Sequence, residues 1–172
     1  MKFRVATKAD AEELVALANT CYRGESGKRG WTTESDLLDG TRTDKAEVEM
    51  LITTAGSAIL VCVDHHSIIG SVHVQRQGFE CYLGMLMVNP EAQRGGVGSK
   101  LIEAAEKHAR DVWQSKTMTM SVISIRDELI AYYERRGYRR TGKMRPFVAD
   151  EVHGMPRVPG LEFETLEKAL VK

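Results

Sequence analysis

Gln93-Arg94-Gly95-Gly96-Val97-Gly98-Ser99 lies between an apolar run, Cys81 to Val88, and a helical pattern that continues to about Trp113. Glycines at a strand-to-helix junction let backbone N–H groups converge on an anion. The first helical turn adds unpaired donors and the positive end of its dipole. A ligand bearing phosphate is therefore expected. Two common phosphate loops are excluded by spacing. A P-loop needs Gly, four residues and then Gly-Lys-Ser/Thr, which neither Gly95 nor Gly96 satisfies with Gly98. A dinucleotide fingerprint needs a third glycine three places after the second, where Leu101 stands. What remains is Gln-x-x-Gly-x-Gly, with Gln93, Gly96 and Gly98 in the fixed places.

Upstream of this segment the pattern has period two. Ala58 to Val63 and Ile68 to Val74 read as strands joined by a turn at Asp64-His65-His66-Ser67, and Glu80 to Val88 as a third strand ended by Asn89-Pro90. Earlier still, Phe3 to Ala6 makes a short strand. Asp10 with Glu13 opens a helix whose Leu14, Leu17, Ala18 and Cys21 form an apolar stripe. Gly24 to Gly30 reads as a mobile loop, and a second helix is expected from about Thr33 through Leu37 and Leu38. Downstream, Gly96 to Trp113 is helical, with Leu101, Ala105, Ala109 and Val112 on one face and Lys100, Glu103, Lys107 and Arg110 on the other. Thr117 to Val122 alternates like a half-buried strand, Asp127 to Arg136 is a short helix stopped by Gly137, and strands follow at Tyr138 to Lys143 and Leu161 to Leu166. A meander followed by a strand–helix–strand crossover predicts one α/β domain over residues 1–172 with a mixed, mostly antiparallel twisted sheet flanked by helices.

Composition removes several classes. Twenty-four Lys plus Arg balance twenty-four Asp plus Glu in 172 residues, so the basic excess of a dedicated nucleic-acid binder is absent. No stretch approaches the ~20 apolar residues of a membrane span, and the amino end lacks the apolar core of a signal peptide. Cys21, Cys62 and Cys81 have neither zinc-ligand nor redox spacing, which fits reduced thiols in a cytoplasmic protein. His65-His66, His108 and His153 do not form a ligand set, so no metal is expected.

A second motif, Ala131-Tyr132-Tyr133-Glu134-Arg135-Arg136-Gly137-Tyr138, follows the glycine segment after one strand. With both in this order, the chain resembles the GCN5-related N-acetyltransferase (GNAT) superfamily. Its acyl-CoA signature is Gln/Arg-x-x-Gly-x-Gly/Ala, and its second element is aromatic-Tyr-Glu-Lys/Arg-x-Gly-aromatic. The likeness is good over about residues 58–142 and rests on element order at the ends. It implies acetyl-CoA as donor substrate, without a metal. The CoA pyrophosphate would lie on the amides of Arg94, Gly95, Gly96, Val97, Gly98 and Ser99. The pantetheine arm would pair with backbone groups of Leu86 and Val88.

The resemblance implies that Tyr133 faces the thioester sulfur, where a phenol can protonate the departing thiolate as general acid. Tyr132 would point elsewhere. For the base, Glu80 begins the strand before the glycine turn, Tyr82 shares its face, His73 titrates near neutrality, and relayed water can serve instead. Many relatives carry Asn seven residues before the helical tyrosine. Here Arg126 stands there, so this end of the cofactor would be held through a charge contact. Arg135 and Arg136 could meet the adenosine 3′-phosphate or form a solvated basic face.

In this superfamily the acceptor pocket is built by the first two helices, their loop and the last strands. Here that means about residues 21–44 and 146–161, with Tyr22, Trp31 and Phe147 as walls and Glu25, Glu34 and Asp36 as ammonium partners. A small-molecule or amino-acid-like primary amine is the expected acceptor, and a protein amino terminus is the alternative. A non-catalytic acyl-CoA-binding regulator of a partner protein is a further one. Neither nucleic acid nor membrane is an expected partner. Relatives are often homodimers.

Overall fold

The computed structural model describes residues 1–22, 38–39, 43–147, 155–156 and 160–170. In chain order its elements are β1 (Lys2–Val5), α1 (Ala11–Tyr22), β2 (Leu38–Asp39), α2 (Lys45–Thr53), β3 (Ser57–Asp64), β4 (Ser67–Gln77) and β5 (Glu80–Val88). They continue with α3 (Val97–Trp113), β6 (Thr117–Ile123), α4 (Asp127–Glu134), β7 (Arg139–Pro146), β8 (Met155–Pro156) and β9 (Glu162–Ala169). Seven strands form one sheet in the order β1-β3-β4-β5-β6-β9-β7, and β2 pairs with β8 separately. The large sheet is antiparallel except between β5 and β6.

Both faces of the sheet are covered, which is why β3 reads as a continuous apolar run rather than an alternating one. Ala58, Leu60 and Cys62 join a core with Leu101, Ile102, Ala105 and Ala109 of α3 and Leu129 and Ile130 of α4. Ile59 and Val61 join the opposite core with Leu14, Leu17, Ala18 and Cys21 of α1 and Val48 of α2. Met87 is buried in the second core, and Met118 and Met120 fill the first.

Several sequence expectations are corrected. Asp10 does not cap α1 as its first residue. It is the third residue of a short 3-10 turn that leads into the helix, and its carboxylate accepts from Thr7 N–H at 2.8 Å and from Arg4 at 2.8 and 3.0 Å. The helix expected from Thr33 lies mostly outside the described residues, but Leu38 belongs to a strand. Helix α2 was not anticipated, although Asp44 accepts from Glu47 N–H at 2.9 Å and Val48, Leu51 and Ile52 form its apolar stripe. Val112 is 55% exposed, whereas Ile102 takes the buried place on α3.

Two irregularities prepare the site. Between Ser71 and His73 the β4–β5 register slips, with Ser71 opposite Met87 but His73 opposite Gly84, so β5 carries an extra residue. Met85, at φ 48°, absorbs the bulge, and the two-residue alternation resets so that Leu83 and Leu86 enter the same core. Second, β5 pairs with β6 only through Glu80–Tyr82 and Thr117–Thr119. Beyond Tyr82 the two strands part, while β6 continues along β9 to Ile123.

Candidate active site

The glycine segment lies just past the open end of β5. Asn89 closes the strand, its side chain accepting from Glu91 N–H at 2.9 Å, and Pro90–Gly95 makes a 3-10 turn. Gly96 then adopts φ 73°, ψ 14°, a left-handed conformation that a side chain rarely tolerates, and it caps α3 without any side-chain hydrogen bond. The first turn of α3 contains no acidic residue. Its amides therefore meet neither a capping oxygen nor a neighbouring carboxylate, as an anion seat requires. The backbone of Gln93 and Arg94 belongs to this turn, and their side chains lie outside the described residues.

What holds the turn against the sheet is Gly70, which sequence reading passed over. A Cβ there would lie 3.0 Å from Leu101 Cδ1, 3.1 Å from Val97 Cγ1 and 3.1 Å from the Met87 carbonyl oxygen. Its missing side chain lets the start of α3 sit directly on β4. A glycine inside a strand pattern is the signal of such close approach.

Leu86 and Val88 are buried toward α3, on the part of β5 that β6 does not pair. The Cys21 thiol, at the end of α1, donates to the Val88 carbonyl at 3.3 Å. Burial pushes that thiol up to about 12, so it stays neutral and serves as a donor.

Tyr133 is 6% exposed and packs edge-on to Tyr132 and Tyr138, with ring centroids 5.5 and 6.1 Å away. Burial holds its phenol well above the usual tyrosine range, while the Arg126 guanidinium pulls the other way and the neighbouring hydroxyls of Tyr132 and Tyr82 add to the rise. Tyr133 thus stands within electrostatic reach of Tyr82, the last β5 residue paired to β6. Among the described residues the one buried side-chain polar atom without a partner is Ser115 Oγ.

Tyr82 lies flat along β5. A Cβ on Gly84 would be 2.8 Å from Tyr82 Cε1 and 3.6 Å from its hydroxyl oxygen, so glycine makes room for the ring beside the point of parting. His73, directly across from Gly84, is 4% exposed. Its Nε2 meets Ser57 Oγ at 2.8 Å, and that hydroxyl donates to the Leu51 carbonyl at 2.6 Å. Serine has one hydrogen, so Nε2–H must be the donor in the first bond. Burial lowers His73 to about 4. A base that weak is poorly matched to an ammonium near 10, and His73 acts as a neutral pin between β4, β3 and α2. Glu80 is exposed at the opposite end of β5 from the glycine turn, beyond the paired Cys81 and Tyr82. The fold does not bring it to the cradle.

Arg126 is half-buried at the amino end of α4. Phe147 stacks with Phe163 at 5.5 Å beside Ile123 and Leu161. Trp31, Glu25, Glu34, Asp36 and the Tyr22 side chain lie outside the described residues. Among the described residues, no group of three or more His, Cys, Asp or Glu could hold a metal, and no helix is long and apolar enough to cross a membrane.

The site thus joins a strand that parts from its parallel neighbour, an uncapped glycine turn and a buried tyrosine. The family model of the acetyltransferase (GNAT) domain matches residues 38–156, more than half of the 172-residue chain, which therefore belongs to this family and is an acyltransferase of the N-acetyltransferase class. Its fold is that of solved N-acetyltransferases. The ribosomal-protein-S18-alanine N-acetyltransferase from Escherichia coli superposes with TM-score 0.72 at 13% identity, covering 99% of this chain and 94% of that one. Aminoglycoside 6′-acetyltransferase type Ii gives 0.70 at 16%, covering 100% and 99%. A spermidine N-acetyltransferase chimera from Vibrio cholerae and hSSAT gives 0.70 at 14%, covering 99% and 96%. No curated protein sequence matches the chain.

Proposed function

We propose that this protein transfers the acetyl group of acetyl-CoA directly to the primary amine of a small-molecule or amino-acid-like acceptor. The observation that carries this reading is the parting of β5 from β6 after Tyr82, immediately before the uncapped turn at Gly96 and beside the Tyr133 phenol. The pyrophosphate lies on the amides from Arg94 to Ser99, and the pantetheine arm runs along the backbone of Leu86 and Val88. The neutral amine attacks the thioester carbonyl and the C–N bond forms. As the C–S bond breaks, the thiolate takes the proton of Tyr133. Arg126 offsets part of the effect of burial on that phenol and so eases the transfer. The amine proton leaves through water alongside Tyr82. Glu80, exposed at the far end of β5, and His73, a weak buried base, are not assigned this step.

The flat Tyr82 ring gives the acceptor side an aromatic wall, which suits an amine on a small, partly apolar body. The similar folds act on a protein alanine, an aminoglycoside or spermidine by name, so fold alone does not select the acceptor. The test is thiol release from acetyl-CoA with a panel of amino acids, polyamines, aminoglycosides and amino-terminal peptides, with products weighed by mass spectrometry. A small amine acetylated once per thiol released is the expected result. Turnover confined to peptides would shift the reading to an amino-terminal acetyltransferase. CoA binding without turnover on any acceptor would point to a regulator.

A further inference from the structure

Arg136, in the turn that directly follows α4, holds the start of α3. Its Nε and Nη2 both donate to Ser99 Oγ, at 3.0 and 2.6 Å, and its Nη1 donates to the Tyr132 carbonyl at 2.8 Å. The guanidinium carbon lies 3.4 Å from the centre of the Tyr132 ring, so the fork is clamped flat. Ser99 closes the glycine segment in the first turn of α3. Two accepted hydrogen bonds occupy the lone pairs of its hydroxyl and leave the hydrogen to donate.

Among the described residues the charge of Arg136 also meets no carboxylate. It borders a cleft of about 450 Å³ lined by Ser99, Ile102, Glu103, Glu106, Arg135 and Lys168 together with Arg136 itself. Two carboxylates are thus nearby, yet the fork chooses a neutral hydroxyl. Glu106 is taken by Lys168, at 3.1 Å to each oxygen, and by the Tyr138 hydroxyl at 3.0 Å. Among the described residues no carboxylate pairs with Arg136. A cation placed on a hydroxyl, with its counter-charge withheld, makes that hydroxyl a stronger donor to an anion on its far side.

We propose that Arg136 is a positioning residue for the donor: it acts through Ser99, aiming the Ser99 O–H at the pyrophosphate, and does not itself bind the 3′-phosphate. This rests on the acetyl-CoA reading above. The same clamp joins the turn that holds phosphate to the helix that carries Tyr133, next to the Tyr132 ring on which Arg136 rests.

Calorimetric titration with CoA and with 3′-dephospho-CoA separates the possibilities. Arg136→Met should weaken both ligands by the same factor, roughly tenfold for a lost charge-assisted hydrogen bond. Ser99→Ala should cost about as much, and the double variant should cost no more than either single one. Ser99→Thr, which keeps the hydroxyl, should bind like wild type. Arg136→Lys keeps the charge but cannot set two donors on one oxygen while stacking, so it should resemble Arg136→Met. It also keeps the test open if Arg136→Met fails to fold. A larger loss for CoA than for dephospho-CoA would mean that Arg136 touches the 3′-phosphate, and additive losses would mean that it acts apart from Ser99. Full binding by Arg136→Lys would reduce its role to charge. Each of these overturns the proposal while leaving the acetyl-CoA reading intact. Wild-type protein that binds neither ligand overturns both.

Discussion

At the scale of single residues the site depends on groups kept in one protonation state. Burial raises Tyr133, so its phenol holds its proton past the ordinary tyrosine value near 10. Tyr133→Phe should lower kcat by roughly 10²-fold or more, the usual contribution of a positioned acid, while CoA affinity is unchanged. A variant with full turnover would end the acid assignment. Glu80→Gln should stay far short of the roughly 10²-fold loss that a removed general base causes, as steady-state rates with the acceptor found by the panel will check. His73 gives a pH prediction of definite sign. Its folded value of about 4 lies below the ordinary histidine value of 6.5, so the unfolded chain binds the proton first. Its contribution to stability is complete above about pH 6.5 and is lost as pH falls toward 4. The loss is on the order of 3 kcal/mol. Urea titrations at pH 7.5 and pH 5 should show a larger drop for wild type than for His73→Gln. Much of this chemistry was legible in residue types, since Tyr133 is a motif tyrosine. The depressed value of His73 was not, because it comes from burial, which depends on how other elements pack over β4 rather than on the residues beside it in sequence.

At the scale of elements, glycines decide how closely strand and helix approach. Gly70→Ala pushes a Cβ against the Met87 carbonyl, which cannot swing aside as a side chain can. It should cost about 1–3 kcal/mol by urea unfolding, as overpacked sites do, and weaken CoA binding by displacing Val97. Unchanged stability and affinity would show that α3 does not rest on β4 as described. Gly84→Ala meets the Tyr82 ring instead, so the ring should turn and near-UV circular dichroism should change, with a smaller stability loss. The strands β3, β4 and β5 and helix α3 were legible from period and turn residues, and the turn at His65-His66 falls where expected. Helix α2 was not legible although Asp44 and Glu47 carry a capping pattern, because its nine residues hold only a short apolar stripe, Val48, Leu51 and Ile52. The β5 bulge and the parting of β5 from β6 were not legible. Both are properties of pairing between distant segments, and period two along one strand does not record where its neighbour leaves.

At the scale of the whole molecule, strands from both ends of the chain share one sheet, and each face carries a helical layer with its own core. The parting of β5 and β6 opens the sheet near its middle, so a ligand laid there would have the α1 layer, with Cys21, on one side and α3 and α4 on the other. Donor binding should therefore stabilise the molecule as a unit, with a melting temperature that rises with CoA concentration by mass action. The central claim is that this opening with its glycine turn is a seat for the CoA donor. Its most direct test is a competition titration, in which CoA is bound and then challenged with acetyl-CoA or ATP. One CoA per chain, displaced by acetyl-CoA and not by equimolar ATP, is the predicted result. No CoA uptake, or displacement by ATP, would contradict it.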